Sequence, residues 1–161
     1  MKRTALLAMA LTFASTAAAD QVGFFLVGAQ YQQDNGLRFG VGLPVVGFFG
    51  SGGGLALSGD VSYLIPTGAA NTGLDAYYGF GLGASFVLAT GSGASVGGLS
   101  LSPNVLAGLN FNTGTAFTPF VEGSVGPTIS FASASGGGST SSGLGFGFGF
   151  GVRLGVNYRL N

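Results

Sequence analysis

The sequence predicts an all-β chain, an antiparallel transmembrane β-barrel of eight strands behind an N-terminal signal peptide. Three observations predict it. Charged residues make up only 6% of the chain, against roughly 25% in an ordinary soluble domain. Beyond the N-terminus there is no run of about 18 apolar residues, so a spanning helix is not available. What remains alternates bulky apolar residues with small or polar ones, the period of a strand with two unlike faces. A backbone that must satisfy itself in hydrocarbon then closes into a barrel.

The N-terminus reads as an export signal. Lys2 and Arg3 form a charged start, Ala5 to Phe13 an apolar stretch, and Ala17-Ala18-Ala19 before Asp20 a small-residue cleavage pattern. Cleavage after Ala19 divides the chain into a signal peptide, 1–19, and a barrel domain, 20–161. The mature part keeps Arg38, Arg153 and Arg159 against Asp20, Asp34, Asp60, Asp75 and Glu122. That slightly acidic balance, without lysine, excludes a basic surface for nucleic acid.

Seven apolar runs follow, over 22–31, 37–48, 55–65, 76–90, 99–111, 117–131 and 144–161. Turn formers separate them, among them Asp34-Asn35-Gly36, the glycines of 50–54, Asn112-Thr113-Gly114 and the Ser/Gly tract 132–143. Run 22–31 is apolar on both faces and declares no orientation. In 37–43, Leu37, Phe39, Val41 and Leu43 oppose Arg38, Gly40 and Gly42. In 55–65, Leu55, Leu57, Val61, Tyr63 and Ile65 oppose Ala56, Ser58, Asp60, Ser62 and Leu64. Run 76–90 sets Tyr78, Phe80, Leu82 and Phe86 against glycine and serine, and 99–111 and 117–131 alternate likewise. In 144–161, Leu144, Phe146, Phe148, Phe150, Val152, Leu154, Val156, Tyr158 and Leu160 oppose glycines, Arg153, Asn157 and Arg159. Single-chain barrels have even strand numbers, eight at this size. The eighth strand therefore lies in 43–57 around Pro44, or one of the runs is misread.

Charge placement gives the medium. Arg38, Asp60, Glu122, Arg153 and Arg159 all fall on the small-polar face. A soluble barrel keeps bulky apolar groups inside; here the bulky face is the charge-free one, and Gly, Ser and Asn cannot build an apolar core. The expected arrangement is inside-out, with Phe, Leu and Val toward lipid. Arg38, Asp60, Glu122 and Arg153 then form a charge network in the lumen. Because so many other inward positions are small, the lumen is expected to be incompletely filled, either holding water or flattened. Phe24, Phe25, Tyr31, Phe48, Phe49, Tyr63, Tyr77, Tyr78, Phe111, Phe117, Phe131 and Tyr158 lie near strand ends, where interfacial girdles sit.

Two stretches, with the export signal and the alternation over 22–161, carry a resemblance. Phe117-Thr118-Pro119-Phe120-Val121-Glu122-Gly123-Ser124-Val125-Gly126 and Gly151-Val152-Arg153-Leu154-Gly155-Val156-Asn157-Tyr158-Arg159-Leu160 are similar to strands of the small outer-membrane barrels of the OmpA, OmpX and OmpW kind. The resemblance implies location in the cell outer membrane, contact with outer-membrane lipid, and insertion by the barrel assembly machinery. It places the assembly signal on Tyr158 and Leu160, although the chain ends in Asn161 where those families carry a terminal Phe.

With no His and no Cys, the usual general base, thiol nucleophile and commonest metal ligand are missing, so no enzymatic activity and no cofactor are expected. The function expected is structural or weakly channel-forming, with small hydrophilic solutes as the only cargo. Two other readings use the same residues: a surface protein binding through its external loops, and a secreted Gly/Phe-rich fibre subunit built on 136–151.

Overall fold

The structure, a computed structural model, describes residues 19–43, 54–68, 73–91 and 93–160. The predicted signal segment up to residue 18 and the region 44–53, with Phe48 and Phe49, lie outside the described residues. Eight strands run in chain order: β1 (Ala19–Phe25), β2 (Gly28–Gln33), β3 (Leu37–Gly42), β4 (Gly54–Pro66), β5 (Leu74–Gly91), β6 (Ala94–Phe111), β7 (Phe117–Gly136) and β8 (Ser139–Arg159). Each pairs antiparallel with the next, and β1 pairs with β8 to close the barrel.

The eighth strand sits in run 22–31, which is two strands rather than one. The chain reverses at Leu26-Val27, and Phe25 pairs with Gly28. Leu and Val are poor turn formers, so nothing in the local sequence marks the reversal. The tract 132–143 also differs from its expected loop. Ala132 to Gly136 continue β7, Ser139 to Gly143 begin β8, and only Gly137-Gly138 turn, both at positive φ. Two successive positive-φ residues make the tight hairpin turn whose twist matches the strands it joins. At the other end Asp34-Asn35-Gly36 turns as its composition predicts. Gly36 has a φ of 88° and donates to the Gln33 carbonyl at 3.0 Å, and the Asn35 side chain accepts from Leu37 N at 2.9 Å.

Register fixes the barrel's pitch. From Val156 on β8 the pairing passes through Phe24, Ala29, Val41, Gly59, Ala84, Leu101 and Ile129 and returns to β8 at Phe146. That offset of ten residues between Val156 and Phe146 tilts eight strands by roughly 40° to the barrel axis. The β6–β7 ladder is interrupted between the pairs Leu101↔Ile129 and Val105↔Val125. The interruption falls at Pro103 and Pro127, which have no N–H to donate. There the inner face is joined instead by the hydroxyls of Ser102 and Thr128, 3.1 Å apart.

Candidate functional site

The faces of the barrel are settled by contacts that no neighbouring strands could make. Arg38 on β3 meets Glu122 on β7, and Arg153 on β8 meets Asp60 on β4. Neither pair of strands is adjacent, so these side chains cross the lumen. Their face is the inner one. The opposite face carries Phe24, Phe39, Leu57, Phe80, Leu101, Val125, Phe148 and Leu154, all exposed. Bulky apolar groups thus point outward and ions inward.

The site is a plug of side chains in the half of the barrel where β1 begins and β8 finishes. Leu64, Tyr77 and Leu106 form a buried apolar cluster, and Phe120 is buried as well. Arg38, 1% exposed, reaches across to Glu122 in a two-pronged pair, Nη1 to Oε2 at 2.6 Å and Nη2 to Oε1 at 2.9 Å. Its Nε donates to Ser62 Oγ at 3.0 Å, and the Tyr77 hydroxyl donates to Glu122 Oε2 at 3.1 Å. The fork of a guanidinium matches both carboxylate oxygens, which a lysine could not do.

A second tier lies over the first. Arg153 Nη2 donates to Asp60 Oδ1 at 2.6 Å and Nη1 to Gln30 Oε1 at 3.2 Å, while Gln30 Nε2 donates to Asn157 Oδ1 at 2.8 Å. The Arg153 guanidinium also lies 4.5 Å from the centre of the Phe25 ring, a cation–π contact. Arg153 Nη1 is 4.0 Å from Glu122 Oε1, linking the tiers. Two cations and two anions balance, and the contacts tie β1, β2, β3, β4, β5, β7 and β8 together through the interior.

The structure therefore brings Arg38, Asp60, Glu122 and Arg153 into one cluster. Sequence reasoning missed its partners Gln30, Ser62, Tyr77 and Asn157, and the parity that puts Arg38 inside also selects Ser62 and Asn157. Tyr77 and Phe25 are not girdle residues but inward ones. In this half of the barrel the small inward residues do not leave the lumen unfilled. Inward glycines are the places where a larger side chain from the next strand lies flat. A Cβ on Gly108 would meet the Tyr77 ring, one on Gly155 the Phe120 ring, and one on Gly40 the Asp60 carboxylate. Small residues in this half admit the plug; they do not leave space.

Outside the barrel, Tyr31, Tyr63, Tyr78 and Tyr158 take outward positions on β2, β4, β5 and β8. All are near the end at which β1 begins and β8 finishes: Tyr31 and Tyr158 both pair with Val22, and Tyr63 pairs with Phe80 two residues from Tyr78. Tyr158 packs on Phe117 with ring centres 5.0 Å apart, and Leu160 follows it, exposed. Far along β7 and β8 the outer row changes from Phe131 and Leu144 to Ser133, Ser135, Ser142 and Thr140.

Among the described residues no group of three or more His, Cys, Asp or Glu could hold a metal ion. No protein-family model matches the chain, and no curated protein matches it. Among solved structures it is similar to a major outer membrane protein from Thermus thermophilus, at 13% identity and a TM-score of 0.48, over 88% of this chain and 98% of that chain. No match supports the expected likeness to the OmpA, OmpX and OmpW families; what the structure shows is eight antiparallel strands in a closed ring.

Proposed function

We propose that the chain is an outer-membrane β-barrel with a structural role, its lumen braced by the plug, which leaves at most a weak passage for small hydrophilic solutes. The observation that carries the reading is the inversion of faces. Ions meet inside the ring while rows of Phe, Leu and Val cover the outside, an arrangement that water would penalise and hydrocarbon favours. The tyrosines gathered at one end and the change to Ser and Thr at the other give that apolar band two polar boundaries.

The plug favours bracing over transport. An eight-stranded barrel is about wide enough for side chains to fill, and the buried Arg38–Glu122 pair with Leu64, Tyr77, Leu106 and Phe120 occupies its section. Both carboxylates of the plug, Asp60 and Glu122, are ion-paired with arginines, which supports bracing, and the reading is non-enzymatic. Tyr158 on the last strand and Leu160 just beyond it, both exposed, are available to the assembly machinery. The hairpin turns at 26–27, 34–36 and 137–138 are short and offer little surface for recognition.

Folded-against-boiled electrophoresis after membrane fractionation tests the reading. A membrane-bound band that shifts on boiling is expected; recovery in the aqueous fraction would refute it. Planar-bilayer recordings of the inserted protein separate bracing from transport, and steady large openings would replace the first with the second.

A further inference from the structure

The wall is not equally tall all round. β1, β2 and β3 have 7, 6 and 6 residues, whereas β5 to β8 have 18, 18, 20 and 21. β1 covers β8 only from Arg159 to Gly155, with one further bond from Leu26 N to the Leu154 carbonyl at 3.3 Å. Among the described residues, Ser139 to Arg153 pair with β7 alone. Exposure of the outer row follows: Leu154, Val156 and Tyr158, beside β1, are 40–46% exposed, but Phe146, Phe148, Phe150 and Val152 are 74–89% exposed. The apolar part of that uncovered wall, Leu144 to Val152, rises roughly 20 Å above the end of β1 at this tilt.

Behind the gap the tall strands form a trough floored by Arg153 and Asp60. Low in the trough the lining is hydroxylic, with Ser85 and Ser100 2.6 Å apart, Ser102 and Thr128 bonded similarly and Ser130 donating to the Gly145 carbonyl at 3.4 Å, while Ala56, Val87, Ala89, Val96, Ala132 and Ala134 share the inner face above them. Among the described residues, no inward ion lies above the paired Arg153 and Asp60. Next to the gap the inner row of β8 is glycine, and a Cβ at Gly147 would meet nothing within 4 Å.

We propose that this gap opens the trough sideways to the bilayer. The trough then takes the uncharged, hydroxyl-rich head of an amphiphile whose hydrocarbon tail stays among the lipids. The inference rests on the membrane reading above. A strand edge without a partner among the described residues needs polar partners in hydrocarbon, and head-group hydroxyls bond both to the β8 backbone and to the serine rows. The lining carries no unpaired ion to hold a charged head, and the outer Phe row at the gap's rim accepts the tail.

The chain has no Trp, so single-Trp variants report the geometry without background. Ser100→Trp stands on the trough's back wall, Phe148→Trp on the outer face, and Phe120→Trp in the fully closed ring. Each is reconstituted in phosphatidylcholine vesicles doped either with a chain-brominated alkyl glucoside or with the same amount of chain-brominated phosphatidylcholine. The expected result is loss of emission at Phe148→Trp with both quenchers, little at Phe120→Trp, and a greater loss at Ser100→Trp with the glucoside than with the phospholipid. Equal losses at Ser100→Trp would overturn head-group selection, and no loss there would overturn the opening. Should Ser100→Trp fail to fold, Gly147→Trp reports the same space. An unquenched Phe148→Trp would instead mean that the barrel is not in lipid.

Discussion

Arg38 and Glu122 stand on opposite walls of the barrel, on strands separated by three others, yet their side chains meet at 2.6 and 2.9 Å in a buried two-pronged pair. A pair that crosses the lumen fixes the distance between walls, where a pair between adjacent strands would only add to a ladder already made. Taking two charges out of water is costly, and the return comes from geometry and from the extra bonds to Ser62 and Tyr77.

The first prediction concerns that pair. Arg38→Met leaves the Glu122 carboxylate buried without its cation and should cost about 3–5 kcal/mol, whereas Arg38→Met with Glu122→Leu should recover most of the loss. Urea titration of the heat-modifiable band measures both. A double variant as unstable as the single would mean that the plug depends on the ions' bonds and not on their neutralisation.

Much of this was legible before any coordinates. Parity alone put Arg38, Asp60, Glu122 and Arg153 on one face, because a charge on the lipid face carries a penalty that no local packing offsets. The eighth strand was not legible: the two turning residues are Leu26 and Val27, which turn because β1 and β2 pair, a tertiary cause that the single Gly28 after them does not announce. The filling of the lumen was hidden for a related reason. A glycine such as Gly108 looks like empty space in one strand, and only the register shows Tyr77 of the facing strand lying over it.

The glycines supply the second prediction. Gly108→Ala forces a methyl group against the Tyr77 ring and the Val121 carbonyl and should destabilise the barrel by about 1–3 kcal/mol through overpacking. Gly147→Ala, where a Cβ meets nothing within 4 Å, should fall within about 0.5 kcal/mol of the parent. Equal effects at the two positions would show that backbone freedom, and not room for the plug, is what the inward glycines provide.

A third prediction follows from the tyrosine band. Val125→Arg puts a cation on the outer face near the middle of the apolar band, at a cost of about 2–4 kcal/mol, while Tyr78→Arg, at the band's edge, should cost about 1 kcal/mol or less. Refolding yield into vesicles, read against urea, ranks the two. A flat profile from Val125 to Tyr78 would contradict a bilayer centred on that band.

The last prediction asks what the plug withholds. Phe120 is 3% exposed and shares the buried layer with Leu64, Tyr77 and Leu106, under the Arg38–Glu122 pair. If this layer closes the lumen, Phe120→Ala together with Tyr77→Ala should raise single-channel conductance in planar bilayers, since removing two rings opens a path beside ions that are already exposed from above, Arg153 and Asp60, each by about one-fifth. Arg38→Met with Glu122→Leu should not, because those substitutions keep the layer's volume and remove only its charge. The contrast separates steric closure from electrostatic closure. Conductance that rises with the charge-removing variant and stays silent with the ring-removing one would assign the barrier to the ion pair, and the apolar layer would then serve packing alone.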